Sequence, residues 1–257
     1  MTTALLPYFI CLSRYPTQHN AATIVVSPWL GDESEDSTVA TEYAVSCFSR
    51  ETPNSNQTGG LMHELQRDNT ATFSFLEGDV DSAPGPGIAG YYDGPYYSYY
   101  RFPRTFSHED MDESDILEAY EQLSETVALE GPFDGVLGFS HGGTLAAGFM
   151  IHCAKMNPNE PALFRCAIFI NSLPPFRMEP GKRPVVDEGL EGFISIPCVH
   201  IAGAKDPLFE YSMALYRLCS ARYSTFAVHG KGHDVPSDRR NVAIIATAIR
   251  KLSSQIL

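Results

Sequence analysis

The chain has few basic residues and no long hydrophobic run. Among its 257 residues, 18 are Lys or Arg and 31 are Asp or Glu, which gives a formal net charge of −13. Nucleic acids and anionic membrane surfaces attract basic patches, so this charge balance argues against either as a partner. No stretch of about 18 consecutive apolar residues is present, so the sequence predicts no membrane-spanning helix.

Cysteine pairs at metal-binding or redox spacing are also missing. None of the cysteines forms a C-x-x-C pair or lies beside paired histidines at zinc spacing. The pattern predicts buried free thiols in a reducing compartment and no metal site. The apolar start of the chain is short and lacks a basic segment, so we expect no signal peptide and a cytoplasmic location. The cysteines are Cys11, Cys47, Cys153, Cys166, Cys198 and Cys219.

What the chain does contain is an alternation of two patterns. Short apolar runs rich in β-formers are separated by stretches with helical spacing, which predicts βαβ units and a mostly parallel sheet with helices on both faces. The length fits one α/β domain over residues 1–257, with 44% hydrophobic residues to form its core. The predicted strands are Tyr8 to Leu12, Thr72 to Leu76, Phe133 to Phe139, Cys166 to Ile170, Cys198 to Ala202 and Ser224 to Val228.

Two segments interrupt this alternation. Residues 13–56 are polar, acidic and aperiodic, and we expect them to be poorly ordered or loosely packed over the mouth of the active site. Residues 83–100 are rich in Pro, Gly and Tyr. These tyrosines either line a substrate pocket or pack against one another in a surface loop.

The run Gly138 to Gly142 fits the pattern G-x-S-x-G. An apolar strand precedes it and a stretch of small residues with helical spacing follows it. A strand, a tight turn and a helix in this order present a serine hydroxyl at the carboxyl end of the sheet. The sequence therefore predicts Ser140 as a nucleophile and the backbone N–H of His141 as an oxyanion donor at a helix N-terminus.

A serine nucleophile needs a histidine base and an acid that orients it. In this arrangement the acid and the histidine follow the serine along the chain. His229 and His233 both lie in a glycine-containing loop after the last predicted strand. We favour His233 because it lies nearer the final helix, and His229 is the alternative base.

Asp206 is the favoured acid because it follows the predicted strand Cys198 to Ala202 closely. That position puts a carboxylate at the sheet edge where the histidine loop is expected. A turn or helix cap would be a purely structural role for the same residue. Asp187 and Glu210 are poorer candidates, since neither directly follows a strand.

With these residues in view, the chain resembles the FSH family of fungal serine hydrolases, a branch of the α/β-hydrolases. It is most similar in look to members that act beside polyketide synthases, such as the hydrolases of the lovastatin and citrinin pathways. The resemblance covers residues 59–257 and the strand 7–12. It implies a triad of Ser140, Asp206 and His233 that cleaves an ester or thioester without a cofactor. It also implies a polyketide or other acyl substrate, often released from an acyl carrier domain. The motifs are Gln57 to Leu61, Leu76 to Gly78, Pro84 to Gly87, Phe133 to Gly142, Gly203 to Pro207 and Gly232-His233.

The chain departs from that family after its first strand. Family members usually continue with His-Gly and a glycine-containing loop that supplies a second oxyanion donor, whereas Ser13 to Pro16 stand here. Losing one donor costs about 10²–10³ in rate. Residues 13–56 are thus either a genuine insertion or an artefact of the gene model. Two further functions stay open: a small-ester carboxylesterase, and a catalytically weak accessory protein that binds a polyketide.

Overall fold

The computed structural model describes residues 8–11, 22–23, 25–27, 59–76, 80–82, 96–99, 113–177, 185–186 and 188–256. Five helices are found in these ranges: α1 Gly59–Arg67, α2 Glu113–Glu130, α3 His141–Met156, α4 Phe209–Leu218 and α5 Arg239–Ile256. A single 3₁₀ turn spans Glu188–Leu190. The strands are β1 Tyr8–Cys11, β2 Ala22–Thr23, β3 Val25–Ser27, β4 Ala71–Thr72, β5 Ser74–Phe75, β6 Val80–Ser82, β7 Tyr96–Ser98, β8 Gly135–Phe139, β9 Cys166–Ile170, β10 Phe176–Arg177, β11 Val185–Val186, β12 Cys198–Gly203 and β13 Ser224–His229.

The central sheet has the strand order β13-β12-β9-β8-β1-β3, and β5 also pairs with β1. Strands β8, β9, β12 and β13 pair in parallel. Strand β1 is antiparallel to each of its neighbours β3, β5 and β8. The predicted parallel sheet is therefore confirmed in its centre, and an antiparallel portion extends it beyond β8.

The three inner strands of the parallel part are buried along their whole length. This explains why they read as continuous apolar runs, because helices and neighbouring segments cover both faces of the sheet. Phe139 on β8 and Phe169 on β9 are among the largest fully buried side chains. Strand β13 lies at the edge and is only partly buried.

The helices pack as their apolar spacing predicts, with two exceptions. Helix α3 is buried at nearly every position of its first three turns, and α5 buries Val242, Ile245, Ile249 and Leu252. The sequence spacing predicts an apolar stripe of Ile116, Leu117, Tyr120 and Leu123 on α2 and one of Tyr211, Leu215 and Leu218 on α4. These predictions are wrong at Leu117 and Tyr211, which are 45% and 37% exposed. Both residues stand at the edge of a stripe whose centre faces the core. Within the described helices, none is both long and apolar enough to cross a membrane.

The two interrupting segments contain short strands that the sequence pattern did not indicate. Within residues 13–56, β3 pairs antiparallel with β1 and β2 pairs in parallel with β4. The sequence shows no period at these residues because strands of two or three residues are too short for one. Within residues 83–100, β7 pairs with β6. The rest of both segments lies outside the described residues, so neither the predicted loose packing nor the tyrosine pocket is tested.

Candidate active site

Ser140 occupies the sharp turn between β8 and α3. Its backbone has φ 50° and ψ −121°, a left-handed conformation that costs about 1–3 kcal/mol for a residue with a side chain. Its N–H donates to the carbonyl of Ile170 over 2.9 Å, which anchors the turn to β9. Close packing leaves no room for side chains on either side. A Cβ on Gly138 would meet the backbone of Gly143, and a Cβ on Gly143 would meet the side chain of Ser172.

A chain of two hydrogen bonds joins Ser140 to His233 and Asp206. The Nε2 atom of His233 lies 2.9 Å from Oγ of Ser140, and its Nδ1 atom lies 2.8 Å from Oδ2 of Asp206. With the proton on Nδ1, the ring donates to the carboxylate and its Nε2 accepts from the serine hydroxyl. The ring packs against Phe139 at a centroid distance of 5.2 Å. This arrangement can remove a proton from the hydroxyl and stabilise the imidazolium that results.

The same three side chains lie almost entirely out of water. Ser140 is 1% exposed and Asp206 is 5% exposed. Burial strengthens the hydrogen bonds because the local dielectric is low.

Of the alternative residues for the base and the acid, His229 and Glu210 lie within the described part of the chain and take no part in these two hydrogen bonds. His229 ends β13 and is buried, where its Nδ1 atom accepts the N–H of Lys231 over 3.3 Å, and burial lowers its pKa to about 4. Glu210 is exposed in the first turn of α4, and Asp187 lies outside the described residues. The turn role considered for Asp206 is also present, because its Oδ1 atom accepts the N–H of Leu208 over 2.8 Å.

His141 is the first residue of α3 and its ring is buried. Burial lowers the pKa of His141 to about 3, so the ring is neutral at pH 7 and adds no positive charge beside His233. The first N–H groups of a helix have no acceptor within the helix and suit an anion. The use of the His141 N–H as an oxyanion donor stays a prediction. The chain directly after β1, residues 12–21, is where the second donor was expected, and it lies outside the described residues.

The sequence also matches a known protein family and several of its curated members. Residues 49–245 match the model of the serine hydrolase (FSH1) family. The chain belongs to this family. Among curated relatives, hydrolase phiM of Talaromyces stipitatus is 42% identical over 200 residues, covering 75% of this chain and 79% of the relative. Esterase FPY3 of Fusarium mangiferae is 33% identical over 185 residues, covering 70% of this chain and 80% of the relative.

A solved structure supports the fold assignment of this FSH1 serine hydrolase. A variant of Arabidopsis thaliana SOBER1 superposes with a TM-score of 0.50 at 17% identity, covering 81% of this chain and 95% of the other. At that identity the likeness concerns the fold alone. Together with the parallel sheet, it agrees with the predicted α/β-hydrolase fold.

Asn171 is a site residue of this FSH1 hydrolase that sequence reasoning missed. It follows β9 directly, is fully buried and has a left-handed φ of 46°. Its Oδ1 atom accepts the N–H of Gly203 over 2.8 Å, and its Nδ2 atom donates to the carbonyl of Asp234 over 2.9 Å. One amide therefore ties the loop that carries Asp206 to the loop that carries His233. The only sequence signal was a polar residue directly after a buried strand.

Two side-chain hydroxyl groups stabilise the turn at Ser140 through hydrogen bonds to backbone carbonyls. The Oγ atom of Ser172 lies 3.1 Å from the carbonyl of Gly138 and 3.0 Å from that of Ile170. Thr144, in the first turn of α3, donates its hydroxyl to the carbonyl of Leu173 over 2.9 Å. Both contacts join α3 and β8 to the segment after β9, so the strained turn is fixed on two sides.

Proposed function

We propose that this chain is an acyl hydrolase that cleaves an ester or thioester and releases or trims a polyketide intermediate held on an acyl carrier. The observation that carries the proposal is the hydrogen-bonded chain from Ser140 through His233 to Asp206 at the carboxyl end of a parallel sheet. Membership of a serine hydrolase family supports the same chemistry. No step of this chemistry calls for a metal or cofactor.

The mechanism follows from the proposed roles. Ser140 Oγ attacks the acyl carbonyl carbon while Nε2 of His233 takes the hydroxyl proton, and Asp206 stabilises the imidazolium. The tetrahedral oxyanion collapses, and the leaving alcohol or thiol takes the proton back from His233. Water then attacks the acyl-enzyme with His233 again as base, which frees the carboxylic acid and restores the serine. Backbone N–H groups at the start of α3, that of His141 among them, would stabilise the oxyanion.

The substrate class is proposed from the relatives. Relatives named as a hydrolase in Talaromyces stipitatus and an esterase in Fusarium mangiferae fit a fungal acyl hydrolase. We extend this to secondary-metabolite biosynthesis, with an acyl carrier domain of a polyketide synthase as partner. The four described cysteines outside disulfides fit a reducing compartment such as the cytoplasm.

The test compares three readouts on the same preparation: hydrolysis of acyl-carrier thioesters, hydrolysis of p-nitrophenyl esters, and binding of a carrier-bound acyl chain. The matched control is Ser140→Ala, in which neither hydrolysis should exceed background. A higher kcat/KM for the carrier thioester supports the proposal. Preference for the small ester would favour a carboxylesterase, and tight binding without turnover would favour an accessory binding protein; either result contradicts the proposed substrate class.

A further inference from the structure

Three side chains with metal-binding atoms meet at the opposite end of β12 from Asp206. Cys198 is the first residue of β12, and His200 lies two residues on, so both point to the same face of the strand. Cys219 caps the C-terminus of α4. One ligand atom from each of the three lies within 4.8 Å of the others, and all three residues are buried.

His200 shows that this cluster is not ordinary apolar packing. The residue is 1% exposed, and neither of its ring nitrogens makes a hydrogen bond of ordinary geometry. The polar group that faces it is the thiol of Cys219, which is a weak partner. Phe169 and Tyr216 contact the ring, at centroid distances of 5.0 and 5.3 Å. Burying an imidazole with so little compensation is costly, and a metal ion on one nitrogen would remove the part of that cost that belongs to this nitrogen.

We propose that Cys198, His200 and Cys219 bind one zinc ion. Both thiols lose a proton on binding, so two thiolates and Zn²⁺ together carry no net charge, which suits a buried site. Zinc–sulfur bonds of about 2.3 Å at tetrahedral angles place two sulfurs about 3.8 Å apart. The ligand atoms are within 4.8 Å of one another, so small side-chain rotations bring them into range. Ser224 pairs with Cys198 in register, and its buried hydroxyl is a candidate for the fourth position.

The position of the cluster makes it a structural site. Cys198 and Cys219 are close to the two ends of the unit formed by β12, the loop that carries Asp206, and α4. Cys198 and Gly203 are the first and last residues of a strand of six residues. At about 3.3 Å per residue the cluster therefore lies roughly 15–20 Å from the reacting groups. The zinc would clamp the unit that presents Asp206, and it would take no part in acyl transfer.

The experiment measures zinc per folded chain after expression in zinc-supplemented medium and extensive dialysis. We expect about one equivalent in the wild type and in the matched cysteine control Cys153→Ser, and less than about 0.1 in Cys219→Ser. Cobalt exchanged into the wild type should show a thiolate charge-transfer band and visible bands of tetrahedral intensity. A chelator should lower the melting temperature of the wild type and leave that of Cys219→Ser unchanged.

The wild type alone decides the matter even if Cys219→Ser fails to fold. Wild-type protein without stoichiometric zinc, or with cobalt spectra that lack the thiolate band, would overturn the inference. Equal zinc in Cys219→Ser would do so as well, since the metal would then be bound elsewhere. Fluorophosphonate labelling of Ser140 is recorded on the same samples. It should persist in every variant, so failure of the zinc site is distinguishable from failure of the proposed function.

Discussion

The Nε2 atom of His233 lies 2.9 Å from Oγ of Ser140, although 93 positions separate the two residues in the chain. Ser140 follows β8 and the His233 loop follows β13, and β9 and β12 lie between these strands in the sheet. The histidine loop must therefore pass over the ends of two strands. It does so in close contact, because a Cβ on Gly203 at the end of β12 would meet the carbonyl of Gly232.

Replacing the histidine that contacts Ser140 should matter far more than replacing its neighbour. We expect His233→Ala to lower kcat about 10⁴-fold or more, because the general base is lost. His229→Ala should cost much less in activity, since His229 contacts the Lys231 N–H rather than the serine. Steady-state kinetics at equal folded concentration checks this. A larger loss for His229→Ala would show that the base is misassigned.

Asp206→Asn should lower kcat by up to about 10⁴-fold and change KM little. The asparagine amide would donate to Nδ1 of His233, which moves the proton to Nε2, and Nε2 then cannot accept from Ser140. The turn contact to Leu208 survives, because an amide oxygen can still accept that N–H. The exposed carboxylate variant Glu210→Gln is the control. Unchanged turnover in Asp206→Asn would transfer the acid role to another residue.

Asn171→Ala should reduce kcat while leaving KM close to the wild-type value. The amide positions the loops of Asp206 and His233 without reaching the substrate, so its loss misaligns the reacting groups and spares binding. A misplacement of about 1 Å can cost about 10²-fold. The exposed Asn159→Ala is the matched control. An effect confined to melting temperature, with kcat intact at a temperature where the variant is folded, would limit Asn171 to a structural role.

The pH dependence of stability should change in a defined direction in Asp234→Asn. Burial raises the pKa of Asp234 to about 6 from an ordinary value of 3.8. Between those values the folded protein holds a proton that the unfolded chain has lost, so this group makes stability fall as pH rises. Burial lowers the pKa of His229 to about 4, and stability from that group is lost as pH falls from 6.5 towards 4. The two contributions oppose each other in the wild type.

Removing the carboxyl of Asp234 therefore leaves the histidine contribution unopposed. We expect the free energy of unfolding of Asp234→Asn, minus that of the wild type, to rise by roughly 1–2 kcal/mol between pH 4 and 6.5. Urea unfolding at a series of pH values measures it, and Glu210→Gln controls for the loss of a surface charge. If this difference in unfolding free energy stays constant or falls between pH 4 and 6.5, the raised pKa of Asp234 is contradicted.

Local patterns predicted some parts of the molecule and could not predict others. Ser140, Asp206 and His233 each follow an apolar run closely, so their arrival at one sheet edge follows from parallel pairing. Asn171 could not be identified in that way, since its role depends on backbone groups 32 and 63 positions away. The cluster at His200 depends likewise on a strand meeting the end of a helix. Strands β2 and β3 could not be predicted from the sequence, because runs of two and three residues are too short to show a period.

The central claim is that Ser140 is the nucleophile, and covalent labelling tests it most directly. A small fluorophosphonate should label the wild type at one residue, identified by peptide mass spectrometry as Ser140. Ser140→Ala should show neither labelling nor hydrolysis while keeping the circular dichroism spectrum and melting profile of a folded protein. Labelling of the folded Ser140→Ala variant at the wild-type level, or its retention of thioester and ester hydrolysis, would contradict the account.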